Sequence, residues 1–132
     1  MIVRFFDRQD EKNSLNGSTF ADSSSMLECF RLLSSRPPFF CEIEGENSFK
    51  LLVGVGGKWS CIQHGALDGS PPYLIAVARE PQLVVQDLEF LIGSTPTPIH
   101  RRFILSAELA EKLISFFIRT GKKSELVEWE EI

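Results

Sequence analysis

The clearest alternation of apolar and polar positions lies in the last third of the chain, Phe103 to Glu131. Leu109, Leu113, Phe116 and Phe117 recur at i, i+4, i+7 and i+8, and Ala110 and Ile114 widen the stripe, the pattern of a helix packed on a core. Glu108, Glu111, Lys112, Ser115 and Arg119 fall on the opposite side. Ser106 stands where a cap is expected, with Glu108 in the first turn, where a carboxylate suits the positive end of the helix dipole. Gly121 occupies the left-handed stop position, and Arg119, Lys122 and Lys123 surround the negative end. The period then changes. Glu125, Val127, Trp129 and Glu131 alternate against Leu126, Glu128 and Glu130, which predicts a terminal strand.

Taken from the start, Met1 to Phe6 is an apolar run that predicts a first strand, and Asp7 to Ser25 is a polar loop. One of Ser23, Ser24 and Ser25 is expected to cap a helix through Met26, Leu27, Phe30 and Leu33. That helix ends near Ser35, because Pro37 and Pro38 cannot continue it. Phe39 to Glu44 reads as a strand and Gly45-Glu46-Asn47 as its turn. Phe49 to Val55 and Lys58 to His64 form a hairpin through Gly56-Gly57. Gly65 to Pro72 is a loop, and Tyr73 to Ala78 a strand whose near-continuous apolarity implies cover on both faces. Pro81 punctuates, Leu83 to Ile92 holds one or two further strands, Gly93 to Pro98 reads as a loop, and Ile99 to Leu105 leads into the last helix. Short consecutive strands pair antiparallel. The expected architecture is therefore α+β: an antiparallel sheet of about five to seven strands with two helices packed on one face, in a single domain spanning 1–132.

The composition adds constraints. The 132 residues are 43% apolar and 24% charged, enough to bury one core without disulfides or metal. The formal charge of −4 is the wrong sign for a nucleic-acid binder and suits a basic protein surface better. No apolar run approaches the ~20 residues a spanning helix needs. The 3 cysteines, odd in number and without paired spacing, imply a reducing compartment, with the cytoplasm as the expectation.

Candidate chemistry is sparse. Gly54-Val55-Gly56-Gly57-Lys58-Trp59 lacks the third glycine of a dinucleotide fingerprint and the Ser or Thr of a P-loop. Cys61 and His64, three apart on a strand, point to opposite faces, so they are not expected to share a metal ion. Neither His64 nor His100 lies in a recognisable nucleophile context. No cofactor and no catalytic residue is expected. The carboxylates are the stronger signal: Glu42, Glu44 and Glu46 follow one strand, Asp87 and Glu89 another, and Glu125, Glu128, Glu130 and Glu131 the last, with Asp68 in a loop. If these strands are neighbours, one side of the sheet is acidic. With Trp59 as a possible aromatic anchor, that surface would meet a basic protein cleft. The plainer reading is that the charges solvate an edge strand and deter aggregation.

Two stretches carry a resemblance. Phe90 to Ile99, containing Gly-Ser-Thr-Pro-Thr-Pro-Ile, and Phe116 to Glu131, reading FFIRTGKKSELVEWEE, are similar to the end of the first-numbered immunity protein family of bacterial polymorphic toxin systems. Members close with a phenylalanine-rich helix end, a Thr-Gly, a short polar linker and a strand ending in Val-x-Trp, here Phe116, Phe117, Thr120, Gly121, Val127 and Trp129. The helix, the strand and the apolar run entering the glycine pair at Leu51 to Gly57 also resemble that family. Ser124 departs from it, where a proline is frequent. The likeness spans roughly Leu27 to Glu131, with its specificity in the C-terminal third. It implies a non-enzymatic antitoxin that binds a cognate toxin domain with a basic active-site cleft, often a nucleic-acid deaminase or nuclease, and occludes it. On the charge and the lack of a long apolar run, no direct nucleic-acid partner and no membrane partner is expected. Two other classes compete: a small hydrolase or ligand-binding domain with a pocket near Trp59 and His64, and an adaptor that adds a peptide to the edge of the terminal strand.

Overall fold

A computed structural model of the chain describes residues 1–80, 82 and 86–132. Strand β1 (Val3–Asp7) is followed by a two-residue β2 (Thr19–Phe20), helix α1 (Ser23–Leu33), β3 (Phe39–Gly45), β4 (Phe49–Gly56), β5 (Trp59–Ala66) and β6 (Leu74–Ala78). Then come β7 (Leu88–Ile92), β8 (Thr95–Ile99), a 3-10 turn at Arg101–Phe103, a two-residue β9 (Leu105–Ser106), α2 (Ala107–Thr120) and β10 (Val127–Glu131). The main sheet runs in the order β10-β6-β5-β4-β3-β1-β2, with β7, β8 and β9 attached off this path. Among the described residues every pairing is antiparallel except a single parallel contact between Phe39 of β3 and Leu91 of β7.

The fold is α+β; among the described residues two helices lie on one face, and the sheet is larger than expected, with 10 strands. Two short pieces, β2 and β9, account for part of the difference, and the rest is β8. Gly93 to Pro98 reads as a loop because Pro96 and Pro98 break most strands; in fact Thr95 to Ile99 pairs with β7. The turn Gly93-Ser94 has φ of 51° and 67°, the left-handed pair of a tight hairpin. Pairing Ile92 with Thr95 and Phe90 with Thr97 gives the ladder bonds to the threonines and turns the proline nitrogens outward, the one place in a sheet where proline costs no hydrogen bond.

The helix-facing side of the sheet holds the main core: Phe5, Phe39, Cys41, Ile43, Leu51, Val53 and Ile62 meet Met26 and Phe30 of α1 and Leu113, Ile114 and Phe117 of α2. The terminal helix is built as its sequence predicts. Ser106 Oγ accepts from Leu109 N, and Gly121 closes the helix with φ 74° and its N–H on Phe117 O. Helix α1 differs in its cap. Asp22, not one of the three serines, accepts from Ser25 N, since a carboxylate one residue earlier reaches the same orphan donor.

The opposite side carries a smaller core of Phe40, Cys61, Phe90, Ile99 and Ile104, with Trp59 packed against it. The β7–β8 hairpin lies over this side. Phe90 sits 5.4 Å from Phe40, ring centre to ring centre, and presses on Gly54, where a Cβ would come within 2.8 Å of the Phe90 ring. The hairpin tip is tied to the N-terminal segment by Gly93 N to Arg8 O at 2.8 Å. In β6 only Ile75 and Ala76 are buried, so cover on both faces holds for the middle of that strand alone. The expected break at Pro81 and the start of the run from Leu83 lie outside the described residues.

Candidate functional site

Strand order decides what the carboxylates can do together. Phe6, Glu42 and Leu52 stand side by side across β1, β3 and β4, and Gln63, Ile75 and Glu130 continue across β5, β6 and β10. Glu42 and Glu130 thus face the same side of the sheet, but three strands separate them, about 19 Å at the usual interstrand spacing. The acidic strands are neighbours only in part: β7 touches β3 at Phe39 and Leu91, whereas β10 lies at one edge of the sheet, away from both.

Glu42, Glu128 and Glu130 also carry their own counter-charges. Glu42 is buried and accepts from Arg8 Nη2 at 2.6 Å and Lys50 Nζ at 3.3 Å. Burial pushes its carboxyl up, and the bond to Arg8, with help from Lys50, more than offsets this, leaving it below its ordinary value. Glu44 sits opposite Arg4 on one side and Lys50 on the other, so this part of the sheet is balanced rather than negative. Glu46, in the turn after β3, accepts from Ile2 N. Asp68 caps its own turn through the amide and hydroxyl of Ser70. Asp87 accepts from Arg101 N at 3.0 Å, and Glu89 is exposed on β7, opposite Pro98. Glu128 pairs with Arg79 at 3.2 Å, and Glu130 pairs with Arg102. Trp59 begins β5 beside Ser106 of β9, with Lys58 Nζ 6.0 Å from its ring centre.

The pocket that would unite Trp59 with His64 is absent among the described residues, because odd and even positions of β5 face opposite sides. Cys61 and His64 are divided in the same way. All 3 cysteines are free and buried. Among the described residues, no three His, Cys, Asp or Glu side chains gather as a metal site would require. No helix there is long and apolar enough to cross a membrane.

His64 instead joins an aromatic cluster under the end of α2. Phe49 stacks on it at 5.2 Å, and Phe117 and Trp129 stand edge-on at 6.2 and 6.1 Å. Burial, with a smaller push from Lys123, holds its imidazole down to about 4. The sign follows directly. Between pH 6.5 and about 4 the unfolded chain binds a proton that the folded one refuses, so stability is full above pH 6.5 and falls as pH drops towards 4. His64→Phe should flatten that slope, worth at most about 3 kcal/mol; urea unfolding at a series of pH values measures it, and an unchanged slope would refute the assignment.

The residues that shape β10 were not visible in the sequence. Arg79 reaches over the strand: Nε donates to Glu125 O at 3.0 Å, Nη1 to Glu128 Oε1 at 3.2 Å and Nη2 to Val127 O at 3.4 Å. The Trp129 indole donates to Ser124 O at 2.9 Å, fastening the strand to the loop behind it. Arg79 and its partners lie 46 to 49 positions apart, so no local pattern announces them.

A comparison of the chain with protein-family models gives no match. Its comparison with curated proteins gives none either.

Proposed function

We propose that this chain is an immunity protein, a non-enzymatic antitoxin that neutralises a toxin domain by covering its active-site cleft. The observation that carries the reading is the build of the segment bearing the resemblance. Helix α2 is capped at both ends and delivers β10 to an outer edge of the sheet, where Glu128 and Glu131 are exposed. A toxin acting on nucleic acid needs a positive groove, and a negative edge held by a firm helix suits such a groove. Among the described residues, exposed ion pairs alone counter Glu128 and Glu130; pairs of that kind are worth about 0–1 kcal/mol, little enough to exchange for a partner's cations.

The test is co-expression with the product of the adjacent upstream gene. That product should kill cells lacking this chain, spare cells that make it, and co-purify with it, the affinity falling as salt screens the encounter. A harmless neighbour, or two proteins that do not associate, would end the proposal. A peptide-binding adaptor is the second reading, favoured by the same open edge.

A further inference from the structure

The sheet treats its margins unequally. Hairpin strand β8 carries Pro96 and Pro98, and β2 is two residues long; both devices stop another chain from pairing there. Strand β10 has neither. It spans 5 residues, contains no proline, and among the described residues pairs on one side only, with β6.

The direction of its free groups can be read from the ladder. Ile132 N donates to Tyr73 O at 2.9 Å. Since bonded pairs alternate, Glu128 and Glu130 turn their backbone groups towards β6, and Val127, Trp129 and Glu131 turn theirs outward. Arg79 already holds the carbonyl of Val127. The outward N–H groups of Val127, Trp129 and Glu131, and the carbonyls of Trp129 and Glu131, face out from the sheet.

We propose that this outer edge of β10 is a docking site that takes up an extended, basic strand of a partner protein, with lysine or arginine at alternate positions. Charge chooses the occupant. Glu128 and Glu130 share one face of the strand, two residues apart, which is the repeat of alternating cations on an added strand. A second copy of this chain is the wrong partner, because antiparallel self-pairing centred on Trp129 sets Glu128 of each copy against Glu130 of the other, and like charges directly opposite are destabilising. The inference deepens the antitoxin reading by naming the surface and the chemistry it meets. The two can fail separately, since co-expression tests the role and a peptide tests the edge.

The probe is a short synthetic peptide alternating lysine with valine or threonine, with a glutamate-alternating peptide as control. Binding of the lysine peptide should slow hydrogen exchange at the Trp129 and Glu131 amides, and the control should leave them unchanged. The double variant Glu128→Lys with Glu130→Lys should weaken binding about tenfold or more, as two cross-strand charge pairs change sign. Glu131→Pro removes one outward N–H and leaves the ladder to β6 intact; it should lower affinity while the circular dichroism spectrum stays the same. Equal binding of both peptides, no protection at those amides, or sedimentation showing that the wild-type chain dimerises through this edge would each overturn the proposal.

Discussion

Asp7→Ala is expected to destabilise the fold by about 2–4 kcal/mol, because it removes a buried carboxylate that holds several donors, each costing about 1–3 kcal/mol when stranded, a large part of the ~5–15 kcal/mol a domain usually possesses. The Asp7 side chain has 0% exposure. One oxygen accepts from Arg36 Nη1 at 2.7 Å and Asn13 Nδ2 at 3.0 Å, the other from the amides of Gln9 and Asp10 at 2.8 and 2.9 Å. Removing the carboxylate orphans all four donors and frees the Arg36 guanidinium, which lies 3.9 Å above the Phe39 ring. Burial alone would push the Asp7 carboxyl up, but these bonds outweigh it and hold it below 3.8. Its contribution is therefore present above pH 3.8 and lost as pH falls through the lower folded value. Asp7→Asn should accordingly reduce the pH dependence of stability below pH 3.8. Urea midpoints across that range decide the matter: a variant as stable as the wild type at neutral pH would mean the network is ornamental.

Phe90→Ala should cost a comparable amount, about 3–5 kcal/mol, because Phe90 has 0% exposure and is the main aromatic of the smaller core. Its neighbour provides a sharper check. A Cβ on Gly54 would lie 2.8 Å from the Phe90 ring and 2.7 Å from Cys61 Sγ, so Gly54→Ala overpacks the site at about 1–3 kcal/mol. In the Phe90→Ala background half of that clash is gone, and the same methyl begins to fill the hole. The two changes should be non-additive, the double variant being more stable than the sum of the singles implies. Strict additivity in a double-mutant cycle would mean that the hairpin does not press on the sheet as described.

The parts of this molecule that were legible in the sequence are those whose physics is local. Ser106, Gly121 and most of the apolar stripe of α2 act over one or a few turns and stand in the structure as their spacing predicts, except that Ile118 is buried where the spacing predicts Phe116. Strand β8 was illegible because proline is a breaker unless its nitrogen faces outward, and which way it faces depends on β7. Asp7 read as the start of a polar loop because its partners, Asn13 and Arg36, are drawn in only by folding. The carboxylates misled for a related reason. Their residue types were plain, but their meaning depended on strand order. The sequence order of β3, β7 and β10 says nothing of the β4, β5 and β6 that come between the first and the last. Arg8, Lys50, Arg79 and Arg102, which answer those charges, are likewise distant in sequence.

Asn47 carries a last implication. Its side-chain amide donates to Gly121 O at 2.7 Å across 74 positions, and no larger residue could replace that glycine without meeting it, since a Cβ there would lie 2.8 Å from Asn47 Nδ2. The turn between β3 and β4 and the exit from α2 are thereby one rigid joint. The segment leading into β10 inherits the stiffness of the middle of the sheet instead of trailing as a loose tail. A strand arriving at that margin meets a template already set in shape, and little of the ordering cost of association is left for it to meet.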